Sequence, residues 1–436
     1  MERSILNDLV AWKNRPDRKP LILLGARQVG KTYILKEFGK REFRNVAYIN
    51  CDNNSMVKDL FSTDFDTTRI IFTISAITGV NIQAGKTLII LDEIQELERG
   101  ITSLKYFCEN APEYHVAVAG SLLGLSFHEG QSYPVGKVNT LKMCPMTFKE
   151  FLTARGKGMM AQLLETGQWE VVKGLRTLFI QNLREYYFVG GMPEAVATFI
   201  RTNDANAVRE VQWEILDAYN RDISKHAPTE QAVRINQVWH SIPSQLAKEN
   251  RKFVYGVVRK GARAKDFELA LQWLSDAGLV HKVNRMKVLS MPLKVHEDIS
   301  SFKLYMLDCG LLGAMSHTPA ALLLQPSSTD NGKGDFTENF ICCELHALRN
   351  LPIFYYSKEN SRLELDFVVQ VGTDIIPVEV KAEENLQAKS LKMTLSENPE
   401  MQGLRFSMSD YRQEERLCNV PLYAAHDYLK QMISHA

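Results

Sequence analysis

An apolar run, Leu21–Leu24, stops at Gly25, and the pattern Gly25-x-x-x-x-Gly30-Lys31-Thr32 follows at once, leading into a helix-like segment, Tyr33–Phe38. Strand, glycine loop and helix in that order are the setting a Walker A P-loop requires, and no other stretch restricts the fold so tightly. It asks for a parallel sheet whose strands end in loops at one edge. Each residue type has a physical task. Gly25 and Gly30 let the backbone turn its N–H groups inward, where a side chain would block a phosphate. The helix starting near Lys31 adds unpaired N–H groups and a positive dipole end. Lys31 carries a flexible ammonium for the β- and γ-phosphates, and Thr32 offers a hydroxyl to Mg²⁺. The expected cofactors are therefore ATP and Mg²⁺. The nucleotide-binding residues are Gly25, Ala26, Arg27, Gln28, Val29, Gly30, Lys31, Thr32 and Tyr33.

A second apolar run, Thr87–Leu91, delivers Asp92 and Glu93 at its end, a Walker B pattern. Asp92 is the expected metal ligand, and Glu93 is placed to orient or deprotonate the attacking water. Asn45–Asn50 and His115–Gly120 read as further strands of the same sheet. Between them, Asp59–Ala84 reads as helical in part, with a strand over Ile70–Ser75 as the alternative. Ser121, just past the His115–Gly120 strand, has two readings. It is a γ-phosphate sensor if that strand lies between the Walker A and Walker B strands, or a helix N-cap before Leu122–Leu125.

A chain of 436 residues allows several domains. Its net charge of +1 argues against a global field for nucleic acid, so any basic surface must be local. The seven cysteines show no CxxC spacing and read as buried thiols of a reducing compartment, not disulfides or zinc ligands. No segment has the length and apolarity of a signal core or a membrane span, so the expectation is a cytoplasmic protein without membrane contact.

From Phe148 to about Ala227 the apolar spacing is helical, with Leu163, Leu164, Val171, Val172, Leu175, Leu178 and Phe179 recurring. Gly190–Pro193 interrupts it. Ile235–Ala247, Phe253–Arg259, Lys265–Ala277 and Leu279–Val283 then read as helix, helix, helix, strand, an order that fits a winged helix. Lys248, Arg251, Lys252, Arg259, Lys260, Arg263 and Lys265 cluster there with little acid among them. They form either a phosphate-contacting patch or a solvated face. Near the C-terminus, Asp335–Leu348 reads as a helix carrying Glu338. Glu364–Val369 and Ile375–Lys381 read as strands. Glu379 and Lys381, two apart, emerge on one face.

GARQVGKT, IILDEIQ, VAGSLLGL, CPMTFKEFL and YFVGGMPEAV, in that order, resemble a large family of prokaryotic AAA-type ATPases with a C-terminal domain of unknown function. The resemblance implies an AAA-like core, a helical middle and a nuclease-like end. In this chain Gly136-Lys137-Val138 stands where the family usually has Gly-Arg-Val, and lysine lacks the bidentate fork of arginine. The Glu338…Asp366…Glu379-x-Lys381 order resembles the PD-(D/E)xK restriction-endonuclease-like fold. In that fold Asp366, ending one strand of a hairpin, and Glu379 would be hard oxygen ligands for Mg²⁺ or a second divalent metal, with the Val380 carbonyl. Lys381 would activate water or stabilise the scissile phosphate, Glu338 would complete the site, and Gln387 on the following helix would assist.

The expected fold class is α/β: an additional-strand P-loop core over 1–155, a helical extension over 156–230, a winged-helix-like domain over 231–295 and a restriction-endonuclease-like α/β domain over 296–436. The catalytic candidates are Lys31, Glu93, Ser121, Glu338, Asp366, Glu379 and Lys381; the metal ligands are Thr32, Asp92, Asp366 and Glu379. The expected function is ATP hydrolysis coupled to nucleic acid, DNA first, through a Mg²⁺-dependent nuclease. The alternative is an ATP-dependent DNA- or protein-binding switch whose nuclease-like domain is a scaffold. Oligomeric state stays open.

Overall fold

The computed structural model describes all residues except 53, 58, 121–133, 249, 326–332, 360, 385 and 436. They form two compact units, one of residues 2–144 with 276–278, the other of residues 145–275 with 279–436. Among the described residues no helix is long and apolar enough to cross a membrane.

The first unit runs α1 (Ile5–Lys13), β1 (Leu21–Leu24), α2 (Lys31–Glu42), β2 (Asn45–Asn50), α3 (Thr67–Thr78), β3 (Thr87–Asp92), α4 (Gly100–Asn110), β4 (His115–Ala119) and β5 (Asn139–Lys142). All strand pairs are parallel, in the order β2-β3-β4-β1-β5. β4 thus lies between the Walker A and Walker B strands, the additional-strand arrangement. Both β3 and β4 are buried along their whole length. That is why they read as unbroken apolar runs, a sheet covered on both faces leaving no polar side. Ile70–Ser75 is helical. Asp66 caps α3 by accepting from the Thr68 and Arg69 N–H groups, and Ile70 and Ile74 fall one turn apart on its buried face. They join Ile22, Ile89, Leu91, Leu104 and Phe107 in one core.

The second unit opens with six helices: α5 (Phe148–Ala154), α6 (Gly158–Thr166), α7 (Trp169–Gly174), α8 (Arg176–Val189), α9 (Pro193–Thr202) and α10 (Ala205–His226). Val171 and Leu178, two of the periodic apolar positions, prove exposed, while Val172 and Phe179 are buried. Three more follow, α11 (Thr229–Leu246), the four-residue α12 (Tyr255–Val258) and α13 (Ala264–Asp276), then β6 (Val280–Met286) and β7 (Glu297–Met306). The remainder is α14 (Cys309–Met315), α15 (Ala320–Leu324), α16 (Lys333–His346), β8 (Ile353–Ser357), β9 (Glu364–Val371), β10 (Asp374–Val380), α17 (Lys389–Glu397), β11 (Gly403–Ser407), β12 (Arg412–Gln413), β13 (Leu417–Pro421) and α18 (Ala425–His435).

An eight-stranded mixed sheet in the order β12-β13-β11-β10-β9-β8-β6-β7 organises this half. β6 pairs antiparallel with β7 and parallel with β8. One sheet therefore runs across residue 295, where the sequence suggested a domain boundary. The motif at Gly190–Pro193 is a packing corner. Gly190 has φ 74°, and a Cβ on Gly191 would sit 2.1 Å from the Met146 carbonyl oxygen. Buried Asp308 accepts from the Gly191 N–H (2.6 Å) and from the Leu311 N–H (2.9 Å), joining this corner to the start of α14.

Candidate functional site

In the first unit the loop between β1 and α2 takes the shape its glycines permit. A Cβ on Gly25 would lie 2.4 Å from the Met143 carbonyl oxygen, and Gly30 turns into α2 with φ 94°. Gln28 also has positive φ, so the chain alternates as an anion-binding nest requires. Arg3, itself buried, ties the loop down by donating to the Val29 carbonyl (3.0 Å) and the Cys144 carbonyl (2.6 Å). Lys31 donates to the carbonyls of Gly25 (3.0 Å) and Ala26 (2.8 Å). Burial pulls its pKa down to about 8, against the opposing pull of Glu93 and Asp92. Two neutral carbonyls only partly compensate a buried ammonium, and a phosphate chain would do so better.

The two expected Mg²⁺ ligands touch. Thr32 Oγ1 donates to Asp92 Oδ2 at 2.7 Å, and the Tyr48 hydroxyl donates to the same oxygen at 3.1 Å. Parallel register brings Asn50 of β2 level with Asp92 of β3, so Tyr48, two residues earlier, can reach forward to it. Glu93 follows in the left-handed region (φ 52°), held by its N–H to the Ala119 carbonyl (2.9 Å), and its carboxylate accepts from the Gln95 side chain. A hydroxyl, a carboxylate and an ammonium at the end of a parallel sheet suit Mg²⁺ with a phosphate chain. Tyr33, by contrast, is exposed. Lys137 pairs with Glu109 at 2.9 Å on the surface. Ser121 lies outside the described residues.

In the second unit, β9 and β10 form an antiparallel hairpin in which Val378 faces Phe367, so the next pair along is Glu379 beside Asp366. Asp366 is the third residue of β9, not its end. Its Oδ2 accepts from the Val380 N–H at 2.7 Å. Glu379, 7% exposed, meets Lys381 Nζ through Oε1 at 2.5 Å, while its buried Oε2 has no hydrogen-bond partner. Burial, then the neighbouring Asp366 charge, pushes Glu379 up to about 7. Glu338, from α16, is pushed up to about 7 by the same two causes. Its oxygens are already engaged. Oε1 accepts from Arg251 (2.6 Å), and Oε2 accepts from the Tyr305 hydroxyl (3.0 Å) and lies 3.8 Å from Lys303 Nζ. Lys303, on β7, is 0% exposed and lies 2.9 Å from Glu364 Oε1. Burial opposes its charge, but Glu338, Asp366 and Glu364 outweigh it and raise its pKa.

Among the described residues no group of three or more His, Cys, Asp or Glu side chains is gathered for a metal ion. What fits a hard cation is the pair Asp366 and Glu379, through the unpartnered Glu379 oxygen. Two further expectations change. Arg251, read as part of a basic patch, is turned into this cluster, bridging Glu338 and Asp335 (3.3 Å). Gln387 precedes α17 instead of lying on it.

Residues 17–152 match the family model of an AAA domain. This region is an AAA-type P-loop ATPase domain. Residues 180–322 match a domain of unknown function, DUF8612, and residues 333–424 another, DUF4143. No curated protein matches the chain. Among solved structures, the Walker-type ATPase PABY2304 of Pyrococcus abyssi shares 14% identity, covering 72% of this chain and 95% of that one, with TM-score 0.45. The Aeropyrum pernix Orc1 protein in complex with DNA shares 13% (74% and 92% covered, TM-score 0.27). Cdc6p from Pyrobaculum aerophilum shares 13% (72% and 92%, TM-score 0.24).

Four residues of this chain escaped sequence reasoning: Arg3, Tyr48, Gln95 and Lys303. Lys303 left a trace, since SFKLYML places a lysine inside an otherwise apolar strand. Tyr48 left one too, as the polar-tipped member of NVAYIN beside the Walker B strand. Arg3 and Gln95 left none, because their partners are set by tertiary structure.

Proposed function

We propose that the chain is an ATP-binding, ATP-hydrolysing AAA-type ATPase that acts on nucleic acid, DNA first, through a Mg²⁺-dependent nuclease-like centre in its second unit. The observation that carries the ATPase half is the meeting of Thr32 and Asp92 at 2.7 Å in the same loop-and-strand site as Lys31. On nucleotide binding Lys31 exchanges its two carbonyl partners for phosphate oxygens. Thr32 and Asp92 would hold Mg²⁺, which would supply screening of the phosphate charge. Glu93, released from Gln95, orients the attacking water. Glu93→Gln is expected to bind ATP yet stall hydrolysis. Unimpaired turnover would overturn this assignment.

The nuclease half rests on the unpartnered Glu379 oxygen beside Asp366, with Lys381, the residue after β10, paired to the other Glu379 oxygen. Asp366 and Glu379 would hold Mg²⁺, which supplies electrostatic stabilisation at a scissile phosphate. Lys381 would present a proton donor there. Exposed Arg259, Lys260, Arg263 and Lys265, around the helix–helix–strand segment, supply a surface for the nucleic acid backbone. The test is purified protein with plasmid, single-stranded DNA and RNA, Mg²⁺ or Mn²⁺, with and without ATP. Metal-dependent cleavage lost in Asp366→Ala supports the reading.

One observation favours a second reading. Glu338 has both oxygens engaged by Arg251, Tyr305 and Lys303, as in a structural ion-pair network. In that reading the chain is an ATP-dependent DNA- or protein-binding switch with a nuclease-like scaffold. Nucleotide-dependent binding without cleavage under any condition selects it.

A further inference from the structure

Four carboxylates, Glu338, Glu364, Asp366 and Glu379, meet three cations, Arg251, Lys303 and Lys381, around the β9–β10 hairpin. The cations are not equivalent. Lys381 is partly exposed at 31% of its side chain, and Arg251 at 18%. Lys303 has no access to water, and Glu338, Asp366 and Glu364 surround its ammonium electrostatically. Withdrawing it would strip Glu364 of its ion-pair partner and leave buried Glu338 with Arg251 as its one remaining cationic partner among the described residues, which is unfavourable. It is therefore a resident charge of the site.

The carboxylates fall into two groups. Glu338 and Glu364 are the ones Lys303 reaches, at 3.8 and 2.9 Å, and Glu338 is further held by Arg251 and Tyr305. Glu379 keeps a buried oxygen with no partner, and Asp366 commits one oxygen to the Val380 N–H. A hard divalent cation needs free carboxylate oxygens, and water can complete its shell around one or two of them. Among the described residues of this cluster, Glu379 is the carboxylate with a buried oxygen left without a partner, and Asp366 stands beside it on the neighbouring strand.

We propose that Lys303 stands in place of a second cation, so that the nuclease-like centre takes a single divalent ion, held by Asp366 and Glu379 without Glu338. The inference rests on the metal-centre reading above and adds its stoichiometry and its ligand set. Glu338 is a positioning residue, keeping Arg251, Tyr305 and Lys303 in register beside the ion, and does not bind it.

The test is Mn²⁺ binding to the full chain without nucleotide, read by the electron paramagnetic resonance of free Mn²⁺. An Asp92→Asn background removes the first unit's own carboxylate. One Mn²⁺ per chain is expected. Glu379→Gln is expected to weaken it about tenfold or more, as loss of one of two charged ligands should. Glu338→Gln is expected to leave stoichiometry and affinity unchanged. Lys303→Met is expected to admit a second Mn²⁺. Two Mn²⁺ in the Asp92→Asn parent, loss of binding in Glu338→Gln, or a folded Lys303→Met that still takes one, overturns the inference and leaves a metal centre standing. No Mn²⁺ at all overturns the metal centre itself. If Lys303→Met fails to fold, judged by its melting curve, Glu338→Gln alone still decides.

Discussion

In the P-loop the buried cation, Lys31, rests on two backbone carbonyls; in the second unit the buried cation, Lys303, rests on carboxylates. Carbonyls are neutral and weaker partners than phosphate, so Lys31 is held ready for exchange, and its depressed pKa records the incomplete compensation. Carboxylates carry the opposite charge and raise the Lys303 pKa against its burial, so Lys303 is held as a fixed cation. A site built on the first principle changes its charge partners in every cycle. One built on the second keeps its charge fixed and offers a ligand only what remains unpaired, here one oxygen of Glu379.

The largest effects test whether each site has the role this contrast assigns. Glu93→Gln is expected to lower ATP turnover by about 10²-fold or more while a fluorescent nucleotide still binds, the size usual for removing a general base. In the other unit, Asp366→Ala is expected to abolish metal-dependent cleavage and leave the ATPase rate intact; a matching loss of ATPase would erase the distinction between the sites. Tyr48→Phe comes next. Loss of one hydrogen bond to Asp92, worth about 1 kcal/mol, should raise the Mg²⁺ concentration needed for nucleotide binding about fivefold.

Acidity sharpens the same contrast. Glu338 and Glu379 titrate near 7 in the fold against 4.5 for a free side chain, because burial and the Asp366 charge favour the protonated form. The folded values are the higher ones. Their stabilising contribution is therefore complete below pH 4.5 and is lost as pH rises through 7. With chelator present, the melting temperature of the second unit's transition should fall between pH 5 and pH 8. Mn²⁺ should restore it at pH 8 and have little effect at pH 5. The smallest effect belongs to Lys137→Ala. Its exposed pair with Glu109 is screened by solvent, and the melting curve should barely move.

The P-loop core was legible because its signals are local. Leu21–Thr32 and Leu88–Glu93 specify strand, turn and ligand within single short windows, and full burial of β3 leaves an unbroken apolar run. The helix over Ile70–Ser75 was ambiguous for the opposite reason: β-branched residues suit a strand, and the decision fell to Asp66 as a cap and to packing of one face. The carboxylate cluster was half legible. Glu379-x-Lys381 shows its shared face by spacing alone, but Lys303 and Arg251 reach it from sequence-distant segments. Arg251 even sits in a run that reads as solvated base, and only tertiary structure turns it toward Glu338.

The eight-stranded sheet draws β6 and β7 from the stretch matched by one domain of unknown function and β8 to β13 from the stretch matched by the other. Neither stretch can close its sheet alone. Cut between them, β6 and β8 would each expose a raw edge, and Met286 and Leu293 would part from Leu365 and Val368. The two matched stretches of this chain thus supply strands to one sheet, and either of them expressed without the other should expose an unpaired strand edge.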